Sequence, residues 1–468
     1  MANVNDQGLT LDEIRSRVDS EWSGVLDLLK QKIANKAVSA EGIAAPRMQK
    51  DAEFVAGALK QAGIDDAHVE QATQEDGTPG AFEVVGTKIV DSSAPTVLLY
   101  AHHDVQPVPD ASVWRTDPFV GTVVDGRMFG RGSSDDGAGC LTHIGSLSAL
   151  GKDLGVNIKI FIEGEEEMGS PSFVPFLKAH PDYFDADVMF ITDSSNWSPQ
   201  IPSLTASLRG NVTMDVTVKV LNHPVHSGSF GGPILDANTT ASMLVASLYD
   251  RKGNIVVPGL KSIEPVGGLQ QDLNEADFRK DSGVLDGYTF AGEGSLASRL
   301  WTKPAIALIG MDVPSVDESF NQLTPECRFR LSMRVCPTQS GEEAAQAVAD
   351  YLKAQAPFGA QVDVKINETG TGWAMDAQSV VTEIAEESFQ EAFGHAVVNK
   401  GEGGSIPMIP ILQSAYPKAK VLVDGPEDPM TNAHSPNESQ DLEELKGDIV
   451  AEALMLAKFA ARAAELKA

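Results

Sequence analysis

At 468 residues, with 42% hydrophobic and 22% charged side chains, the chain is long enough for two cores rather than one. Its formal charge of −30 argues against nucleic acid, which is bound by neutralising phosphates with Lys and Arg, and against anionic membrane surfaces. Most of that acidity is accounted for by solubility.

Residues 1–20 are polar and acidic, without the apolar segment of a signal peptide, and no stretch reaches the ~18 uninterrupted apolar residues of a membrane span. Cys140, Cys327 and Cys336 are odd in number and lack zinc-site spacing, so reduced, mostly buried thiols in a cytoplasmic protein are expected.

The first half of the chain predicts alternating helix and strand. Amphipathic patterns cover 11–34 and 48–62, the second closed by Gly63. Strands follow near 82–90 and 96–101, then a Pro-rich loop at 105–118. A helix over 137–150 leads to a strand at 156–162, a helix near 171–180 and a strand at 187–192. Such alternation implies a mostly parallel sheet covered on both faces by helices.

Near residue 208 the pattern changes. Residues 211–220 alternate as a half-exposed antiparallel strand. A helix at 234–250 and a loop-rich stretch to about 300 follow. Residues 327–335 alternate again, Ser340 with Glu343 forms a capping box for a helix to about 355, and 360–366 is a further strand. After about 375 the earlier pattern returns: a helix at 378–392, a Gly/Pro-rich loop over 401–410, a strand at 419–423 and a long helix from about 440. The expected fold is α/β, a discontinuous domain of 1–207 and 376–468 interrupted by a smaller α+β domain of 208–375.

Three of the apolar runs end in side chains that ligate metals. The run 95–101 ends in His102, His103 and Asp104; 156–162 in Glu163, Glu165, Glu166 and Glu167; 186–192 in Asp193. In an open parallel sheet the ligand crevice lies at the carboxyl ends of the strands, where these groups would converge. Carboxylates packed together repel one another, and a cation is the usual remedy.

The spacing lets Asp104 take one ring N–H of His102 and free the other nitrogen for a metal, while strand geometry turns His103 to the opposite face. Asp135 and Asp136 stand directly before a helix, where either serves as a cap and one is a candidate to bridge two ions. Adjacent glutamates after a buried strand divide the work, one binding metal while its neighbour holds a water's proton. His434, in a loop before the last helix, and His226, in the inserted domain, are further imidazole candidates.

Taken in order, the motifs YAHHDVQP, GRGSSDDGAG, EGEEEMGS, ITDSS, HSGSFGGP, MRVCP, GGSIP and HSPNE resemble those of the di-zinc metallopeptidases of the aminoacylase/carboxypeptidase superfamily, in the carnosinase-like dipeptidase branch. The resemblance implies a catalytic domain with a lid and dimerisation insert. It implies two Zn2+ per subunit, with Mn2+ or Co2+ as substitutes, held by His102 with Asp193 and by Glu167 with His434. Asp135 would bridge the ions, through a cis peptide to Asp136. Glu166 would be the general base and Asp104 the partner of His102. His226 would come from the other subunit of a homodimer to steady the oxyanion, and Arg334 with Gly403, Gly404 and Ser405 would hold the substrate carboxylate.

The implied reaction is hydrolysis of the amide bond of dipeptides or short peptides with a free C-terminal carboxylate, by a water bridging two divalent metals and deprotonated by Glu166. An N-acyl amino acid or succinyl-amine deacylase on the same core is the alternative enzyme. A non-catalytic binding protein is the alternative of another class, disfavoured because the five ligand positions and Glu166 are all present. The chain departs from the family pattern at Gly137, where many relatives have Lys, at Gly401, where they have Arg, and at His103, commonly Tyr.

Overall fold

A computed structural model describes residues 9–404, 406 and 408–466. They divide into two compact units, the described residues within 1–205, 375–399 and 411–468 forming one and those within 206–374 and 400–410 the other.

The first unit is built on a six-stranded sheet in the order His68–Thr73, Pro79–Lys88, Asn157–Glu163, Thr96–His102, Val188–Ile191, Lys420–Val423. The first two junctions are antiparallel and the other three parallel. Parallel strands covered on both faces become continuous apolar runs, and Val97 to Ala101 and Val188 to Ile191 are fully buried. One cover contains Phe161, Phe173, Phe176 and Phe184, with Phe161 and Phe184 edge to face at 4.8 Å.

The helix Gly137–Leu150 is buried on nearly every side, packed between the sheet and the helices Leu11–Asn35 and Leu442–Ala461. Its first residue explains one departure from the family pattern. A Cβ at Gly137 would lie 2.1 Å from the Gly132 carbonyl oxygen, so no side chain fits without moving the turn that carries Asp135.

The second unit is a four-stranded antiparallel sheet ordered Ala305–Met311, Glu326–Val335, Gly210–Lys219, Gln361–Gly370. Strict alternation along Gly210–Lys219 buries Val212, Met214, Val216 and Val218 under the helices Ala237–Ala246 and Gly341–Ala354. Ser340 caps the latter helix by accepting the Glu343 N–H at 3.5 Å, whereas both arms of a capping box are made at Thr10 and Glu13.

Sequence pattern and structure part in several places. The stretch 401–410 read as loop holds the end of the strand Val398–Glu402 and the start of the helix Met408–Ala415. Pro410 falls in the first turn of that helix, where a missing N–H costs nothing. The strands His68–Thr73, Ser203–Leu208 and Ala305–Met311 are additional, as are the helices Glu275–Ser282 and Leu296–Trp301 inside the loop-rich stretch. Among the described residues no helix is long and apolar enough to cross a membrane.

Candidate metal centre

Strand register sets the first two segments. His102 pairs with Glu163 at the level ends of two parallel strands, so the turns bearing Asp104 and the Glu165 to Glu167 run leave one edge together. Asp193 follows the neighbouring strand by two residues. The 3-10 turn Glu166–Met168 is pinned by Asp104, whose two carboxylate oxygens accept the N–H groups of Glu166 and Glu167 at 3.1 and 3.2 Å. Glu165 turns away and accepts the Ser172 N–H.

His434 returns from far along the chain because a small sheet brings it back. The strand Ser439–Asp441 pairs with Arg127–Phe129, the second arm of a hairpin with Thr122–Val124. Glu438 then accepts the N–H groups of Ser134 and Asp135 at 3.1 and 3.2 Å, and its other oxygen meets Arg131 at 2.5 Å. The loop closes on Ser194: a Cβ at Gly425 would lie 2.0 Å from the Ser194 carbonyl oxygen. His434 has φ +59, a left-handed conformation costly outside glycine and concentrated at functional sites.

The result is two triads with Asp135 in both. In each, the ligand atoms lie within 4.8 Å of one another: His102, Asp135 and Asp193 in one, Asp135, Glu167 and His434 in the other. His102 Nε2 is 3.0 Å from Asp135 Oδ1 and 3.8 Å from Asp193 Oδ1. His434 Nε2 is 2.9 Å from Asp135 Oδ2 and 3.1 Å from Glu167 Oε2. Each carboxylate oxygen of Asp135 thus serves a different imidazole. Asp136, joined to it by a cis peptide, does the capping instead, accepting the N–H groups of Gly139 and His102, each at 3.0 Å.

These positions fit a pair of divalent cations. His102 Nδ1 lies 3.1 Å from the Asp104 carbonyl oxygen and 3.3 Å from its carboxylate, so Nδ1–H donates there and Nε2 is left to face the acids. Glu167 Oε2 takes a hydrogen bond from Gln106 at 2.6 Å, while Oε1 is buried with no partner. A buried carboxylate oxygen left unpaired is costly, and imidazole with carboxylate is a donor set that suits zinc, manganese or cobalt.

The electrostatics carry the same signature. Burial opposes ionisation of Asp135, but hydrogen bonds from His102 and His434 outweigh it and hold its carboxyl well below the usual range. Hydrogen bonds to Asp135 and Glu167 push His434 up to about 11. Burial and the Asp193 charge push Glu166 up to about 9, and burial pushes Asp193 up to about 6. Cations at such a centre would reverse this logic by stabilising the carboxylates.

His103 lies on the far side of its strand. Its Nδ1 is 3.0 Å from Asp51, which also pairs with Lys32 at 3.0 Å, and its Nε2 is 2.8 Å from the Phe82 carbonyl. His226, Arg334, Gly403 and Gly404 belong to the second unit, and Ser405 lies outside the described residues. His226 is exposed at the end of the short strand Val225–His226, its Nδ1 accepting the Gly228 N–H at 3.0 Å. Gly401 has a steric reason of its own: a Cβ there would come 2.4 Å from Trp301 Cβ.

Sequence reasoning passed over Gln106, Arg131 and Glu438. Gln106 and Glu438 stand inside the HHDVQP and HSPNE motifs, so the signal was present without a role attached to it.

A model of Peptidase family M20/M25/M40 matches residues 98–459. The Cysteinylglycine-S-conjugate dipeptidase of Corynebacterium striatum is 33% identical over 420 residues, 88% of this chain and 90% of the relative. The Beta-Ala-His dipeptidase of Rattus norvegicus is 27% identical over 438 residues, 88% of each chain. Among solved structures, the di-peptidase Dug1p of Saccharomyces cerevisiae aligns with a TM-score of 0.72 at 22% identity, covering 96% of this chain and 98% of that one.

Proposed function

The chain belongs to Peptidase family M20/M25/M40, and we propose that it is a two-metal dipeptidase cleaving the amide bond of dipeptides or short peptides with a free C-terminal carboxylate. The observation that carries this reading is the division of Asp135, one oxygen toward His102 and the other toward His434. His102 with Asp193 and Glu167 with His434 would hold two Zn2+ ions, replaceable by Mn2+ or Co2+, with Asp135 between them. When bound, such ions acidify water and polarise the amide carbonyl.

The chain's own residues do the rest. Glu166, hung from Asp104 by its backbone N–H, takes a proton from the attacking water. The water oxygen bonds to the amide carbon, the C–N bond breaks, and Glu166 returns the proton to the departing amine. His226 from the partner subunit of a homodimer would donate to the oxyanion, a contribution usually worth a few kcal/mol. Arg334 with Gly403, Gly404 and Ser405 would hold the terminal carboxylate.

A homodimer is supported by apolar exposure in the second unit. Leu308 and Ile309 on the edge strand Ala305–Met311, with Val316 and Phe320 beyond it, are exposed. An edge strand with outward apolar groups invites another chain. The cytoplasm is supported by Cys140, Cys327 and Cys336, all buried and unlinked.

The decisive experiment is hydrolysis of a dipeptide panel by metal-stripped protein, with and without added zinc or manganese, beside Glu166→Ala. Metal-restored cleavage that disappears in the variant is expected. Release from N-acetyl amino acids without dipeptide turnover would make the chain a deacylase, and metal binding with neither activity would make it a binding protein.

A further inference from the structure

Within the second unit Arg209 and Arg334 are close enough for the charge of one to bear on the other, and among the described residues no ion pair includes either. Arg209 sits between the strands Ser203–Leu208 and Gly210–Lys219. Arg334 is opposite Asn211 in the adjoining strand Glu326–Val335. Arg209 is only 7% exposed. Its Nη1 makes a long hydrogen bond of 3.5 Å to the Lys303 carbonyl, and its Nε is buried with no partner. Burial, then the charge of Arg334, push it down to about 10.

A guanidinium taken out of water without a counter-charge is costly, and a like charge beside it adds to the cost. Capping the helix Leu296–Trp301 does not explain the arrangement, since a single 3.5 Å contact is weak and leaves Nε–H unused. What the pair lacks is an anion. The approach on the Nη2 side is kept open by glycine: a Cβ at Gly403 would already lie 3.2 Å from Nη2. Two forked donors, one of them beside Gly403, suit a planar carboxylate.

We propose that Arg209 is the second cation of the carboxylate receptor, acting with Arg334 to set the preference for substrates with a free terminal acid over their amides. The role rests on the dipeptidase reading above. Arg209 touches only the end of the substrate, so it governs which peptides enter and leaves the proton transfers to Glu166.

The test compares one dipeptide with its C-terminal amide, on the metal-loaded enzyme, in the native chain, Arg209→Met, Arg209→Lys and Arg334→Met. The acid-over-amide ratio of kcat/KM is expected to fall about 10–100-fold in Arg209→Met, through the KM of the acid. Arg209→Lys should recover part of the ratio. Equal losses on acid and amide would mean that Arg209 is only structural and would overturn the proposal.

Binding separates this result from failure of the dipeptidase reading. The same acid and amide, and an N-acetyl amino acid, are titrated calorimetrically into Glu166→Ala with and without Arg209→Met. Carboxylate-dependent binding of the N-acetyl compound alone, lost with Arg209, would discard the dipeptidase and keep the receptor. Binding indifferent to the carboxylate, or no binding, would discard the receptor.

Discussion

At the strand ends of the first unit, Asp135, Glu167 and Asp193 converge on His102 and His434 from separate segments, whereas Glu444, Asp448 and Glu452 line one face of the helix Leu442–Ala461 at four-residue intervals. Both groups crowd carboxylates into places with little access to water, and they are neutralised in different ways. On the helix, Glu452 meets His143 at 2.8 Å and Ser146 at 2.6 Å, and Asn196 donates to Asp448 at 3.2 Å. Asp428, nearby, pairs with Arg127 at 2.7 Å. Burial, then the charges of Asp448 and Asp428, raise Glu444, and burial pushes Asp448 up to about 8, so Glu444 and Asp448 favour the protonated form. Among the described residues their oxygens form no ligand triad. Acid count therefore does not mark a metal centre. Convergence from separate segments onto imidazole does.

The largest effect expected from this contrast is at Asp135, the residue shared by the two triads. Asp135→Ala should remove bound metal, read by elemental analysis, and lower activity by about 10³-fold or more. A variant that keeps its full metal content would break the distinction between the two acid groups. Glu166→Gln should lower kcat by about 10²–10⁴-fold with metal content unchanged. Asp104→Ala, which unpins both the His102 ring and the Glu166 and Glu167 amides, should weaken metal affinity about 10–100-fold in a chelator competition.

The smallest effect is on the helix and depends on pH alone. Asp448 in the folded chain keeps a proton that the unfolded chain loses near pH 4, so its contribution to stability declines as pH rises from about 4 toward 8 and is constant above that. Asp448→Asn removes this decline. Its melting temperature should exceed the native one by about 2–4 °C at pH 8.5, converge with it at pH 4, and not respond to chelator. A chelator response would place a cation in the helix group as well.

The strand-end ligands were legible in the sequence because His102 and Asp193 each close an apolar run, and periodicity locates such ends. The division of roles between Asp135 and Asp136 was open in the residues alone, since capping and bridging need the same side chain in the same place, and only the family resemblance assigned it. Glu438 was hidden for another reason: its partners Arg131, Ser134 and Asp135 lie some three hundred residues earlier, and no local pattern encodes a contact of that range. Among the strands, Ser203–Leu208 escaped notice because its serines and threonine are buried with the apolar residues, which erases the alternation.

The divided Asp135 also fixes an order of events during synthesis. Its Oδ1 triad is complete in the chain once residue 193 has been made, before any of the second unit leaves the ribosome. Its Oδ2 triad waits for His434, which follows the whole of residues 206–374. The chain thus contains the residues of one triad before the second unit is made, but the strand Lys420–Val423 that completes the sheet and the Glu438 carboxylate that holds the Asp135 turn come only after it. Neither triad has its full set of supporting neighbours until the polypeptide is nearly finished.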